Sequence, residues 1–369
     1  MFSNGDLYWA TRLGNGPGEI TPNSTLRFEG LDIATAFGQN LDCGPVLLWT
    51  HGTTGDTISI GLAPNFAQPK DSVSFRNGAV DPFSNTNIYE GAEDTMILQN
   101  NDAAGQRNQN YGARAEFFVG EASAANGFWP RRSLIRYDLS SLAGEYEKIC
   151  RVTLRLKVSD VTGDKDGILR VHRLADANAG WAEGTQTGAG IGDPPDIGET
   201  TFNYRIEDSQ EWAGSPGAGT PDVDYLGTPL ASLAIGSTTN GYLDLDLDPA
   251  EIGTLINDWT TSSNAGLFLI TAAEDSDEIR FHSSEAATLE DRPELIIEFV
   301  PIVPTLTIAK VANSVRVSWL VGGTRWTLHQ STDLVEWNPI TQIPTANGEA
   351  FHVDFPADMP KQFFRIEQN

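Results

Sequence analysis

The chain has 369 residues, and its 24 Lys and Arg against 50 Asp and Glu give a formal net charge of -26 at pH 7. With 40% hydrophobic residues, 36 Gly and 20 Pro, the composition is that of a folded, turn-rich protein and excludes a disordered or collagen-like chain. The negative charge repels nucleic acids, and no apolar run reaches the ~18 residues of a membrane-spanning helix, so neither nucleic-acid binding nor membrane insertion is predicted. The opening residues Met1–Asp6 also lack the basic and then apolar pattern of a signal peptide.

Two turn-rich segments divide the chain. Residues 79–87 read as a loop, and the proline-flanked residues 300–304 read as a stiff, extended joint. The predicted modules are 1–87, a small β module of unknown type, 88–300, the main domain, and 301–369, a second small β module. In the first module, strands are expected at 46–49, 57–62 and 72–75.

Hydrophobic periodicity in the main domain predicts strands almost everywhere. Residues Arg151–Val158 and Gly241–Leu247 alternate polar and apolar side chains, as half-buried strands do. The apolar runs Gly266–Ile270 and Glu294–Val300 indicate strands covered on both faces. One helix is expected, beginning at Asp248-Pro249 and running through Trp259. The predicted fold class is all-β: a jelly-roll-like β-sandwich flanked by two small β modules.

The two cysteines, Cys43 and Cys150, lie far apart and in different predicted modules. They cannot form a disulfide framework or a Cys-based metal site. Because free Cys is among the most buried residue types, two free, buried thiols are expected rather than a bridge.

Charge is unevenly distributed along the main domain. Residues 107–173 contain 12 basic and 8 acidic side chains, whereas residues 174–300 contain 3 and 24. One stretch is therefore cationic within an acidic protein. The segment 185–228, rich in Gly, Pro and Asp, is expected to form an ordered loop system over one edge of the domain.

Several separated pieces of residues 94–299 carry a family pattern in order. They are Asp94-Thr95, Asn110-Tyr-Gly112, Arg132-Ser-Leu-Ile-Arg-Tyr-Asp138, Val152-Thr-Leu-Arg-Leu156, Trp181-Ala-Glu183, Trp259, Asn264–Leu269, Phe281-His-Ser-Ser-Glu285 and Arg292-Pro-Glu-Leu295. The main domain thereby resembles the DNRLRE family, a β-sandwich module of secreted bacterial and archaeal proteins that is similar to carbohydrate-binding modules for alginate. The resemblance implies a secreted or cell-surface location and sugar binding through basic residues on a sheet face. Residues 305–369 contain Trp319, Trp326, the run Ser331-Thr-Asp-Leu-Val-Glu-Trp337 and the closing Gln362-Phe-Phe-Arg-Ile366, and on these they resemble a short fibronectin-like tail module of secreted proteins.

Basic side chains share faces of three predicted strands. In the strand from Arg151, period two places three cations on one face, Arg170 and His172 share a face of the next strand, and Arg136 lies on the preceding one. If these strands are neighbours, they form a basic groove. Guanidinium groups bind carboxylates in bidentate fashion, so such a groove suits an acidic polysaccharide such as alginate. The candidate carbohydrate-binding residues are Arg136, Arg151, Arg155, Lys157, Arg170, His172 and, for stacking on a sugar ring, Trp129.

Each of these features has a structural alternative. The cations can instead pair with the carboxylates of the second half of the domain, as surface charges usually do. Trp129 can be a buried corner residue, and the other tryptophans are most simply core. The segment 160–167 superficially resembles a calcium loop, but Val171 stands where the bidentate Glu is needed, so it is read as a hairpin turn. A structural Ca²⁺ held by loop carboxylates is compatible with the composition, but no spacing identifies its ligands, and no other cofactor is expected.

No catalytic motif is present: the five histidines are scattered, and there is no Gly-x-Ser-x-Gly elbow or phosphate-binding glycine loop. The function predicted is extracellular, non-catalytic binding of acidic polysaccharide. The alternative is a structural or adhesive subunit that self-associates through exposed edge strands. A third hypothesis is a polysaccharide lyase, with His172 as the base beside Arg170 and Lys157.

Overall fold

The structure is a computed structural model. It describes residues 71–368 except 85, 100–108, 122–128, 163–166, 188–194, 236–240, 262, 273–277, 303, 321–325, 333, 348–349 and 357–362. Of residues 1–70 it describes only the backbone of five strands. In the part that is described, no helix is both long and apolar enough to span a lipid bilayer.

Residues 1–70 form one compact unit, and residues 71–369 form a second. In the first unit, β1 (Phe2–Ser3), β2 (Asp6–Tyr8) and β3 (Thr25–Arg27) make an antiparallel sheet. A separate hairpin pairs β4 (Val46–His51) with β5 (Ile58–Ala63), which confirms the strands expected at 46–49 and 57–62.

The main domain is a sandwich of antiparallel strands. Its strands are β6 (Asp71–Phe75), β7 (Ala92–Leu98), β8 (Glu116–Glu121), β9 (Pro130–Tyr137), β10 (Tyr146–Thr162), β11 (Ile168–Arg173), β12 (Tyr204–Ile206), β13 (Gln210–Glu211), β14 (Ala231–Ala234), β15 (Tyr242–Leu247), β16 (Leu267–Thr271), β17 (Glu278–His282) and β18 (Glu294–Pro301). Its helix α1 spans Pro249–Thr261, as the sequence predicted. The all-β fold class is confirmed.

Two sheets share the long strand β10. Sheet I has the order β15-β10-β18-β6, and sheet II contains β14-β11-β16-β9 together with β7, β8 and β17. The register of β10 shifts between Val158 and Asp160, and from there β10 pairs with β17 instead of β15 and β18. A bulge of this kind lets one strand turn the corner between two packed sheets.

The apolar side chains of the sandwich core alternate along their strands. On β10, Val152, Leu154, Leu156 and Val158 are at most 1% exposed, whereas Arg151, Arg155 and Lys157 point outward. The apolar stripe of α1, formed by Ile252, Leu255, Ile256 and Trp259, belongs to the same core. Burial of this continuous apolar surface is the main term that stabilises the domain.

A second buried layer covers the other face of sheet II. Leu267 and Leu269 face the sandwich core, while Phe268 and Ile270 point the opposite way. There they pack against side chains from the loop-rich segment between β11 and β14, chiefly Trp181, Phe202, Trp212 and Tyr225. The described part of the predicted loop system is therefore ordered.

The first predicted boundary differs from the structure. Strand β6 pairs with β18 along its whole length, and Phe75 and Tyr89 are buried in the sandwich core. The turn-rich segment after β6 folds back on itself, because Gly78 donates to the Tyr89 carbonyl and Tyr89 donates to the Ala79 carbonyl. Residues 71–87 therefore belong to the sandwich rather than to the first module, and the loop is not a linker.

The last residues form two small antiparallel sheets with their own core of Val317, Trp319, Leu328, Val353 and Phe355. The strands are β19 (Thr307–Val311), β20 (Ser314–Leu320), β21 (Trp326–Ser331), β22 (Asn338–Pro339), β23 (Thr345–Asn347), β24 (Ala350–Pro356) and β25 (Phe363–Gln368). Trp337, predicted as core, is only half-buried and lies under the Arg365 guanidinium.

The prediction of free thiols is wrong. Cys150, at 7% exposure in β10, is disulfide-bonded, and Cys43 lies outside the described residues. Burial and wide spacing in the sequence do not distinguish a thiol from a bridge, because a bridge needs only that the fold bring two Cα atoms within about 7 Å.

Candidate functional site

The predicted cationic face of β10 is an ion-pair ladder across sheet I. Arg155 binds Asp244 through two hydrogen bonds, from Nε to Oδ1 at 2.7 Å and from Nη2 to Oδ2 at 2.9 Å. Arg151 binds Asp246 in the same way, at 3.0 and 2.6 Å. The guanidinium hydrogen bonds lower the pKa of Asp244 and of Asp246. Both arginines are therefore occupied by carboxylates of their own chain.

The third cation of this face, Lys157, has a different environment. Its Nζ lies 4.6 Å from the ring centroid of Tyr242, a side chain that is 51% exposed. Lys157 makes no ion pair with a described carboxylate. Of the predicted binding residues on sheet I, Lys157 alone has no ion pair within the described part of the chain.

Arg170 and His172 lie on sheet II, on β11. His172 is only 2% exposed, and its Nδ1 lies 2.7 Å from the carbonyl oxygen of Leu226, to which it donates as the neutral imidazole. Its ring meets Tyr225 edge-on at 4.8 Å. Burial lowers the pKa of His172. This histidine is a neutral structural group rather than a cation on an open surface.

Arg136 and Trp129 lie on or beside β9. Arg136 forms an ion pair with Glu93 of β7 and stacks on the ring of Trp181, with its Cζ 4.4 Å from the ring centroid. Trp129 immediately precedes β9 and is half-buried. Its exposure lies between that of the sugar-stacking residue and that of the buried corner residue considered from the sequence.

The predicted basic groove is not assembled. Strand β16 lies between β9 and β11, while β8 and β17 lie between β9 and β10, so strands consecutive in the sequence are not neighbours in the sheet. Strands β10 and β11, on either side of the predicted hairpin turn, do not pair with each other. The lyase hypothesis needs His172 beside Lys157, and the structure places these residues on different sheets.

The structure instead forms a polar pocket around Arg136. It has a volume of about 460 Å³, which lies within the usual range for small-molecule sites. Side chains from β7, from β9 and the segment after it, and from α1 and the loop that follows line it. This Arg136 pocket consists of Gly91, Glu93, Arg136, Asp138, Ser140, Trp259, Thr260 and Asn264.

Hydrogen bonds fix the walls of the Arg136 pocket. Asn264 donates to the Tyr137 carbonyl oxygen at 2.6 Å, and the exposed Asp138 accepts from the Ser140 backbone N–H at 2.9 Å. The Trp181 ring beneath Arg136 is 1% exposed and donates to the Ala265 carbonyl oxygen. Rigidly held carboxylate, amide and guanidinium groups of this kind can bind the hydroxyl groups of a ligand.

Three carboxylic acids meet elsewhere in the domain. Asp94, Glu183 and Glu285, hereafter the carboxylate cluster, each bring an oxygen within 4.8 Å of the others. Asp94 is 1% exposed and accepts from the Ser284 backbone N–H at 2.7 Å, and Glu183 accepts from the Asp94 backbone N–H at 2.7 Å. A Cβ atom at Gly184, the residue after Glu183, would lie only 2.3 Å from the Asn110 side-chain amide. Only glycine therefore lets the chain after Glu183 pass this close to Asn110.

Burial dominates the electrostatics of the carboxylate cluster. It raises the pKa of Asp94 to about 8 and that of Glu183 to about 9, and it also raises the pKa of Glu285. These raised pKa values favour bound protons on Asp94 and Glu183, and carboxylate oxygens of this type would also suit Ca²⁺.

The sequence held a signal for the carboxylate cluster that its interpretation missed. Asp94, Glu183 and Glu285 each stand in a different one of the pieces that carry the resemblance to the DNRLRE family. Sequence spacing does not bring these acids together, because 89 residues separate Asp94 from Glu183 and 101 separate Glu183 from Ser284, the next member of the network.

Comparison with known proteins gives little. No family model and no curated protein matches the sequence. Among solved structures, the chain is similar to the beta-1,2-glucanase from Parabacteroides distasonis, with 9% identity and a TM-score of 0.20. That match covers 75% of this chain and 34% of the glucanase chain. The likeness carries no argument about function.

Proposed function

We propose that this protein is a non-catalytic carbohydrate-binding protein and that the Arg136 pocket is its saccharide site. The observation that carries the proposal is the pocket's lining: a guanidinium, two carboxylates, an amide and two hydroxyls converge on a cleft of ligand size. Planar side chains that present paired donors and acceptors match the vicinal hydroxyls of a sugar ring. The resemblance to the DNRLRE family agrees with this class of ligand.

The charges in the pocket favour a neutral saccharide there. Arg136 is neutralised by Glu93, and Asp138 adds a second carboxylate, so the lining has no positive excess. The whole chain carries -26, which repels polyanions over the Debye length. We therefore assign hydroxyl-rich, uncharged sugar units to this pocket rather than the acidic polysaccharide expected from the sequence.

A secreted or cell-surface location is part of the proposal. Cys150 is disulfide-bonded. Disulfides persist in oxidising compartments outside the cytosol and are rare inside it. The buried bridge thus supports the location that the sequence resemblance implies.

The test is glycan binding by pocket variants. The purified chain is applied to an array of neutral and uronate oligosaccharides, and hits are titrated by calorimetry. Arg136→Ala and Asn264→Ala should each weaken binding of a neutral saccharide at least tenfold, because each removes a hydrogen-bonding group from the lining. Arg155→Ala is the matched control, since it removes an arginine paired across strands on the other sheet. Equal affinity in all four proteins, or loss in the control alone, would refute the proposal.

Self-association is a second candidate function, favoured by β19. This strand is an edge of its sheet, and all five of its residues are exposed, including Ile308 at 58%. An exposed edge strand can add to the same edge of a second copy. Ile308→Lys should then abolish dimers seen by light scattering at high concentration, with Thr307→Lys, on the other face of the strand, as the control. A wild-type chain that stays monomeric would exclude this function.

A further inference from the structure

Three arginines surround one aromatic ring on sheet II. The Cζ atoms of Arg114, Arg131 and Arg280 lie 4.8, 5.6 and 4.6 Å from the ring centroid of Phe118. They come from the turn before β8, from the start of β9 and from β17, where the register sets Arg280 opposite Phe118. These four residues are hereafter the Phe118 cluster. The sequence did not single it out, because its members lie in three separate segments.

The described carboxylates that pair with these arginines are fewer than the arginines. Glu278, 2% exposed, accepts from Arg280 Nε at 2.6 Å and also pairs with Arg131. Asp160 lies 3.9 Å from Arg280. Arg114 makes no ion pair with any described carboxylate. Among the residues that the structure describes, the three guanidinium groups thus have only two carboxylates as ion-pair partners, one of which is at the limit of ion-pair distance.

The excess positive charge is partly desolvated. Only 13% of the Arg131 side chain is exposed, and its Nε is buried without a hydrogen-bond partner among the described residues. Burial, together with the charges of Arg280 and Arg114, lowers the pKa of Arg131 to about 10. Like charges that are held together out of water cost free energy unless an anion neutralises them.

We propose that the Phe118 cluster is an oxyanion-binding site, separate from the Arg136 pocket. Its ligand is a sulfate, phosphate or carboxylate group that accepts hydrogen bonds from Arg114 and from the N–H groups of Arg131 and Arg280 that Glu278 does not bind. Guanidinium groups are the side chains best matched to such oxyanions, because their planar N–H pairs fit two oxygens at once. The Phe118 ring supports the guanidinium planes by cation–π contact and limits their rotation. In a chain of net charge -26, a local cationic site of this kind gives anions one preferred place to bind.

The test is calorimetric titration with sodium sulfate, sodium phosphate and sodium acetate at millimolar concentrations and constant ionic strength set with chloride. The wild-type chain should bind at least one of the three saturably. Arg114→Gln, which removes a guanidinium that has no ion pair, should weaken that binding at least tenfold, and Arg280→Gln should do the same. Arg316→Gln is the matched control, because Arg316 is paired with Asp354 on another sheet and should retain wild-type affinity within about twofold.

Three outcomes would overturn the proposal: no saturable binding of any of the three anions, equal affinity in the Arg114 and Arg316 variants, or the same heat when sodium chloride replaces the anion. Non-specific stabilisation by sulfate does not saturate at millimolar concentration and does not depend on Arg114, so it is distinguishable. Comparison of sulfate, phosphate and acetate identifies the oxyanion. Binding of neutral saccharide by the same variants is unaffected, so this test is independent of the Arg136 pocket.

Discussion

Single side chains in this protein take their properties from burial more than from their neighbours in the sequence. His172 and Asp94 are both almost fully buried, and burial drives the pKa of the histidine down and that of the aspartic acid up to about 8. In both cases the neutral form is the one that the fold stabilises. Two opposite dependences of stability on pH follow.

The carboxylate cluster should make the protein less stable as pH rises. In the unfolded chain these acids lose their protons near pH 4, whereas in the folded chain Asp94 and Glu183 keep them to about pH 8 and 9. Their contribution is therefore complete below pH 4 and is lost as pH rises through 8 to 9. Thermal unfolding between pH 6 and 9, in a chelating buffer that removes divalent cations, should show the decline.

Asp94→Asn is the informative variant, because the amide is neutral at every pH and can still accept from Ser284. It should flatten the decline, whereas Asp244→Asn, on the exposed ladder, should leave the slope between pH 6 and 9 unchanged. An identical slope in the wild type and in Asp94→Asn would show that the buried acids are ionised in the folded state. Repeating the scan with Ca²⁺ measures how far a cation replaces the protons.

His172 should make the protein less stable in acid. Its folded pKa is lowered, so as pH falls below about 6.5 the unfolded chain takes up a proton that the folded chain does not. The melting temperature of the wild type minus that of His172→Gln should therefore shrink between pH 7 and pH 5, since Gln can donate to the Leu226 carbonyl but does not titrate. A constant difference over that interval would contradict the assignment of a neutral, buried imidazole.

At the scale of the element, β10 shows how one strand serves two environments. Its apolar residues enter the core of the sandwich, while its arginines pair across the exposed face of sheet I with β15 and β18. The two faces should differ greatly in their energetic weight, because core packing leaves a cavity when truncated, whereas exposed ion pairs are screened by solvent.

Two adjacent truncations on β10 measure this difference. Leu154→Ala should lower the free energy of unfolding by about 2–5 kcal/mol, because Leu154 is fully buried. Arg155→Ala should cost about 1 kcal/mol or less, because 36% of its side chain is exposed. Urea denaturation followed by tryptophan fluorescence would provide both values. A cost for Arg155→Ala equal to that for Leu154→Ala would mean that the ladder, not the core, holds sheet I to its neighbours.

At the scale of the whole molecule, the uneven distribution of charge along the sequence reflects the pairing of strands. The basic stretch 107–173 supplies Arg151 and Arg155, and the acidic stretch 174–300 supplies the carboxylates that bind them. Antiparallel pairing of β10 with β15 and β18 brings the two stretches together. The charge asymmetry thus reports internal neutralisation for these residues, whereas three other arginines meet at the Phe118 cluster.

The disulfide bond at Cys150 acts on the molecule as a whole. Removing it should destabilise the protein by about 2–4 kcal/mol, mainly by freeing the unfolded chain. Chemical denaturation with and without a reductant would show this as a lower midpoint in the reduced sample. Cys150→Ser should match the reduced wild type and should not respond to the reductant. If a thiol assay shows that the bond has been reduced and the wild-type midpoint still does not shift, the predicted stabilisation by the disulfide is contradicted.

Local order was readable from the sequence. The alternation in residues 151–158 placed four side chains in the core, and the spacing from Pro249 to Trp259 located the helix, because side-chain periodicity follows directly from backbone geometry. Which strand lies beside which was not readable. The hydrogen bonds of a sheet join residues far apart in the chain, and backbone groups that make them are the same at every position.

The sites depend on that second kind of information. Asp94 meets Glu183, and Phe118 meets Arg131 and Arg280, only because the sheets bring separate segments together. The basic groove expected from consecutive strands failed for the same reason, since other strands lie between them. Composition and periodicity thus established the all-β fold and the faces of its strands, whereas the tertiary structure decided which charges are paired, because pairing depends on distances across the fold rather than along the chain.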